Sequence, residues 1–116
     1  MVFCMQMESN TGAKVVLITA SSPDEGARIA ESLVAERLAA CVNRIEGISS
    51  VYWWKGKMER DSECLLIAKT RGELVERLIA RVKELHSYSV PEVISLPIEA
   101  GNPDYLMWIA EETKEG

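Results

Sequence analysis

The chain has 116 residues, 47% hydrophobic and 27% charged, with a formal net charge of −5. This is the length and composition of one globular domain that can bury a core without disulfides or a structural metal. An acidic balance with no lysine/arginine cluster offers nothing to neutralise phosphates, which argues against nucleic acid as a partner, and no apolar run reaches the ~20 residues that span a bilayer.

Residues 1–12 lack the basic and continuous apolar regions of a secretory signal, and three cysteines, Cys4, Cys41 and Cys64, are not a disulfide framework. A cytoplasmic location is expected. Met1, Cys4, Met5 and Met7 are soft donors of the kind that suit Cu(I), but their spacing is loose. Residues 1–13 are therefore read as a disordered extension.

Residues 15–19 form a short β-branched run, the pattern of a strand buried on both faces. Ser22, Pro23 and Glu25 then start a helix: Ser22 caps it, Pro23 takes the first position and Glu25 completes a capping box. The helix is expected to carry Ala27, Ala30, Val34 and Leu38 on one stripe, with Leu33 beside it. Residues 41–58 are extended, and Gly47 marks a bulge or bend within them. The polar cluster Glu59-Arg60-Asp61-Ser62 reads as a hairpin turn into a strand over residues 64–69.

Thr70 to Glu73 by spacing form a second capping box, opening a helix with Leu74, Val75, Leu78, Ile79, Val82 and Leu85 at helical intervals. His86 ends this helix, because Pro91 soon pushes the chain toward an extended shape. Residues 93–98 are the last strand, a short helix follows over 105–112, and residues 113–116 look frayed. The order β-α-β-β-α-β plus a terminal helix predicts an α+β, ferredoxin-like sandwich with right-handed crossovers.

The stretch Val51-Tyr52-Trp53-Trp54-Lys55-Gly56-Lys57 is longer than a helix-covered sheet needs. On a strand Trp53 and Trp54 point to opposite faces, so one of them sits on a surface the domain does not cover. Tyr52, Trp53 and Trp54 are thus expected to form an oligomer contact.

His86 is the only histidine, which leaves no nucleophile-base-orienter set, and the chain is read as non-enzymatic. Cys41 and Cys64 are expected to be buried, inert thiols. Asp24, Asp61 and Asp104 fall in turn or helix-start contexts. Trp54, Lys69, Tyr88, Glu92, Tyr105 and Trp108 are candidates to line a cleft for a small ligand between subunits, or simply to pack an interface. Lys55-Gly56-Lys57, read as part of a strand, gives no phosphate loop.

Five segments carry a resemblance. Leu38-Ala39-Ala40-Cys41-Val42-Asn43, Tyr52-Trp53-Trp54-Lys55-Gly56-Lys57, Leu66-Ile67-Ala68-Lys69-Thr70, His86-x-Tyr88-x-Val90-Pro91-Glu92 and Tyr105-Leu106-x-Trp108 resemble, in order, the motifs of the CutA family. The resemblance covers Lys14 to Trp108 and gives a domain over residues 14–112. It implies a ferredoxin-like fold, a homotrimer built by strand extension as in the PII signalling proteins, and a role in divalent-cation (copper) tolerance. Copper-binding members of that family are credited with a cysteine late in the first strand and two histidines ending the second helix. Those positions are Ile18, Leu85 and His86 here, so a site for Cu or another divalent cation rests on His86. The alternative function is a PII-like small-ligand sensor or interaction scaffold.

Overall fold

The computed structural model describes residues 11–114; the Met1, Cys4, Met5 and Met7 group lies outside the described residues. The elements are β1 (Ala13–Ala20), α1 (Pro23–Ala35), β2 (Cys41–Trp54), β3 (Lys57–Arg71), α2 (Val75–Leu85), β4 (Val93–Pro97) and α3 (Pro103–Glu112). They form the α+β ferredoxin-like arrangement. The sheet order is β2-β3-β1-β4 with every neighbouring pair antiparallel, so β1 and β2 run the same way with β3 inserted between them.

Alternation along the strands sorts the residues into two faces. Val16, Ile18 and Ala20 of β1 and Cys64, Leu66 and Ala68 of β3 point to one face, where Ile29, Leu33, Leu78 and Val82 of the two helices bury them completely. The opposite face carries Val15, Leu17 and Thr19 of β1, with Leu65, Ile67 and Lys69 of β3 in register beside them. Among the described residues only α3 crosses that second face, near Arg71, whose Nε donates to the Thr113 hydroxyl at 3.0 Å, and the remainder of the face is open to them.

The stripe expected on α1 is shifted. Ile29, Ala30 and Leu33 face the core, Val34 is exposed, and Leu38 is buried but lies beyond the end of the helix at Ala35. Gly26 sets this rotation. A Cβ there would lie 2.7 Å from the Cys64 Sγ, so α1 rests on β3 along the line of Gly26, Ile29, Ala30 and Leu33. The Ser22 cap forms as expected, with the Glu25 amide donating to the Ser22 hydroxyl at 3.1 Å, but the Glu25 carboxylate reaches back to the Ser21 amide rather than completing the box on Ser22.

Three other expectations are corrected. The hairpin does not turn at residues 59–62, which are mid-strand in β3; it turns at Lys55 (φ 51) and Gly56 (φ 81). Two adjacent positive φ values are the two-residue turn that matches strand twist, and they close the ladder on the pair Trp54 and Lys57. Lys55 and Gly56 are therefore the turn rather than part of a strand, while Lys57 opens β3, and Asp61 lies in a strand, not a turn. The box at residues 70–73 does not form: a single 3-10 turn, Gly72–Leu74, precedes α2 without a side-chain cap, and the Thr70 hydroxyl donates to the Leu38 carbonyl at 2.8 Å. Thr113 is not frayed but fully buried, donating to the Ile109 carbonyl at 2.8 Å. At the other end, the Thr11 hydroxyl donates to the Ile98 carbonyl.

The bulge expected at Gly47 is present, with φ +74 and a register shift between Ile45 and Ile48. Beyond it β2 and β3 pair only with each other, because β1 ends opposite Cys64. The arm from Glu63 to the turn is about 20–25 Å long at ~3.3 Å per residue. Trp53 on it is 74% exposed and Trp54 44% exposed, as the aromatic pair required.

Candidate functional site

Where the arm leaves the sheet, its inner surface and the segment between α2 and β4 enclose a cleft of about 580 Å³. Tyr52, Trp54, Glu63, Tyr88 and Glu92 line it. The strand register puts Tyr52 and Trp54 on the same face as Glu63, and Thr19 from the end of β1 reaches the same space.

The walls are held by a small polar network. Glu63 is 8% exposed and accepts a hydrogen bond from the Tyr88 hydroxyl at 2.8 Å. Burial and then that hydrogen bond push the Tyr88 hydroxyl well above the ordinary tyrosine range. Tyr52 donates to Asp61, and that bond, with further help from Glu63 and Glu59, pushes its hydroxyl up to about 12. Both phenols thus stay protonated at neutral pH.

Behind Tyr88 stands His86, which is buried, with its ring 4.7 Å from that of Tyr88. Its Nδ1 accepts from the Tyr88 amide at 3.0 Å, which leaves Nε2 to donate to the Thr19 carbonyl at 2.6 Å. With Nδ1 accepting, the tautomer these two bonds select carries its proton on Nε2. Glu25, also buried, accepts from the Ser21 amide (2.8 Å), the Ser21 hydroxyl (2.8 Å) and the Ser87 amide (2.7 Å). Burial pushes its carboxyl up, but these hydrogen bonds prevail and hold it at about 2. His86 and Glu25 together tie the chain from Ser87 onward to the start of α1 and the end of β1.

The copper positions implied by the resemblance do not fit a metal here. Ile18 is fully buried in the core, Leu85 packs against the core, and neither carries a donor. Both His86 nitrogens are engaged by the backbone, so a metal ion would have to break one of those bonds. Among the described residues no group of three or more His, Cys, Asp or Glu side chains could hold a metal ion.

The six cleft candidates fall into two groups. Trp54, Tyr88 and Glu92 line the cleft together. Lys69, Tyr105 and Trp108 lie at the other end of the open sheet face, where the two rings stack at 5.4 Å and Lys69 donates to Asn43. Six residues of β3, about 20 Å of strand, separate Lys69 from Glu63. Cys41 belongs to the second group and is not a buried thiol: it is half-buried, with its Sγ 3.9 Å from the Lys69 Nζ. Burial, followed by the Cys41 contact, raises the Tyr105 hydroxyl. Cys64 is fully buried as expected, and burial pushes its thiol up.

Sequence reasoning missed Glu63 and Thr19. Glu63 continues the alternation Leu65, Ile67, Lys69 onto the open face, a signal masked by the polar run at residues 59–62 that precedes it. Tyr52, assigned to an interface, also lines the cleft.

The comparisons with known proteins agree with this fold. The family described as "CutA1 divalent ion tolerance protein" matches residues 14–112. The chain is 52% identical over 101 residues to "Protein CutA 1, chloroplastic" of Oryza sativa subsp. japonica, covering 87% of this chain and 57% of that protein. It is 49% identical over 100 residues to the "Divalent-cation tolerance protein CutA" of Thermus thermophilus, covering 86% of this chain and 97% of the relative. The solved structure of the Thermus thermophilus protein (Cut A1) superposes with a TM-score of 0.86 at 48% identity, covering 88% and 99% of the two chains. The chain belongs to the CutA1 divalent ion tolerance protein family.

Proposed function

We propose that the chain acts as a non-enzymatic homotrimer in divalent-cation tolerance. The observation that carries the trimer is the open sheet face. Ile45, Ile94 and Leu96 are 46%, 49% and 47% exposed on a surface continuous with Tyr105 and Trp108, and an apolar patch of this kind marks an association surface. Among the described residues β2 and β4 are edge strands, the kind that can extend a neighbour's sheet, and Trp53 on the arm supplies a projecting anchor. The non-enzymatic reading rests on His86, whose ring is locked between two backbone partners, the Thr19 carbonyl and the Tyr88 amide. The half-buried and buried free thiols of Cys41 and Cys64 favour the cytoplasm. Ile18, Leu85 and His86 offer no ready ligand set, so the tolerance role is proposed without copper held at those positions.

The test is complementation. A bacterium lacking its own family member and sensitive to divalent copper should regain tolerance when supplied with this chain. Ile94→Lys/Leu96→Lys, which charges the open face, should restore little or none. Equal restoration by both would overturn the trimer as the working form.

The cleft favours a second reading, a PII-like sensor of a small ligand. Its volume and its mixture of aromatic walls with a few fixed polar groups are those of a ligand site.

A further inference from the structure

We propose that the cleft between the arm and Tyr88 binds an organic ammonium ion, a primary amine or short diamine. The inference rests on the small-ligand reading and names its ligand class.

Three features select that chemistry. The first is charge. Glu63 and Glu92 line the cleft and no lysine or arginine does, while Asp61 stands just behind Tyr52. Carboxylates alone repel a phosphate or carboxylate ligand, so the occupant is neutral or cationic. The second is Glu63 itself. The residue is more than nine-tenths buried, yet among the described residues its carboxylate receives a single hydrogen bond, from Tyr88. A buried anion with one partner is under-compensated, and a cationic donor entering the cleft supplies what it lacks. The third is the wall. Tyr52, Trp54 and Tyr88 line the same cleft, Tyr88 on this carboxylate and Trp54 toward the tip of the arm, and aromatic rings attract an ammonium ion through the ring quadrupole. The chain already shows that preference at the same ring: the Lys55 ammonium lies 5.8 Å from the centroid of Trp54.

A bare metal cation fits less well. It needs several hard donors converging at about 2–2.6 Å, and no group of three or more His, Cys, Asp or Glu side chains is placed to hold one among the described residues. Aromatic rings contribute nothing to such a shell, whereas an alkylammonium uses both the carboxylates and the rings. The Tyr52 and Tyr88 hydroxyls, already donating to Asp61 and Glu63, offer their oxygen lone pairs to the N–H groups of the ligand.

The experiment is calorimetric titration of the whole protein with putrescine, with 1,4-butanediol as the neutral isostere and tetramethylammonium as a cation that cannot donate hydrogen bonds. Saturable binding of putrescine at one site per chain is expected, weakened about tenfold by Glu63→Gln and at least severalfold by Trp54→Ala. Glu92→Gln, at an exposed position remote from the core, should also weaken it and guards against misfolding of the other variants. Tetramethylammonium should bind more weakly than putrescine and lose affinity with Trp54→Ala. Diol binding as tight as putrescine would overturn the ammonium inference while leaving the small-ligand reading standing. Silence from all three ligands would overturn the inference. Putrescine binding unaffected by the Glu63, Glu92 and Trp54 variants would also overturn it, by moving the site elsewhere.

Discussion

The His86 Nε2 lies 2.6 Å from the carbonyl oxygen of Thr19, at the point where β1 ends and the cleft begins. With Nδ1 accepting the Tyr88 amide, the ring is a strut between β1 and the segment that carries Tyr88 and Glu92. The only histidine of the chain is thus spent on architecture.

The first prediction follows from that. Replacing His86 by Ala leaves the Thr19 carbonyl and the Tyr88 amide without partners and opens a void. It should cost about 2–4 kcal/mol in denaturant unfolding. Calorimetric titrations of Cu(II) or Zn(II) into wild type and His86→Ala should give superimposable isotherms per folded chain. A site present in the wild type and missing in the variant would contradict the strut assignment.

Glu25 predicts a pH dependence. Its carboxyl sits at about 2 in the folded protein against an ordinary 4.5. A depressed acid contributes stability that is complete above the unfolded value and is lost as pH falls through the folded one. Glu25 should therefore contribute roughly 3 kcal/mol at neutral pH, declining from about pH 4.5 toward pH 2. Glu25→Gln should be less stable at pH 7 and show a flatter stability curve across that window. Parallel curves for the two proteins would remove Glu25 as the source.

Gly26 gives a packing prediction. A methyl group there meets the Cys64 Sγ at 2.7 Å and its Cβ at 3.3 Å. Gly26→Ala should destabilise by about 1–3 kcal/mol in spite of the better helix propensity of alanine. Adding Cys64→Ala, which removes the sulfur, should recover part of the loss. A double variant no better than the sum of the single changes would show that α1 does not rest on β3 at this point.

The order of elements, the core strands, the first helix cap and the bulge at Gly47 were legible in the sequence because each has a local cause: periodicity, a capping residue or a missing Cβ. The turn was misplaced because polar residues at 59–62 look like a loop. They are polar because the arm projects into solvent, and the true signal was the lone glycine in Lys55-Gly56. The Thr70 box failed because the hydroxyl found a tertiary partner in Leu38 that no local pattern contains. The candidate site was half legible. Aromatic residues near strand ends were found, but their division into two groups depends on strand register and on the length of the arm. The roles of His86, Glu25 and Glu63 depend on contacts across 67, 62 and 25 positions of sequence, which spacing does not reveal.

The arm carries a further prediction. Trp53 is the most exposed of the large hydrophobic residues described, at 74%, so Trp53→Ala removes nothing from the core of a single chain. It should leave secondary structure intact and weaken subunit association, seen as a midpoint of dissociation shifted to higher protein concentration. Unchanged dissociation would place the contact on the sheet face alone.

The most direct test of the account is the mass of the purified protein by light scattering, followed on dilution through the micromolar range. A mass of three chains is predicted for the wild type, falling toward one chain in Ile94→Lys/Leu96→Lys. A wild-type mass of one chain across that range would contradict the assembly through the open sheet face, and with it the reading of the apolar residues that line it.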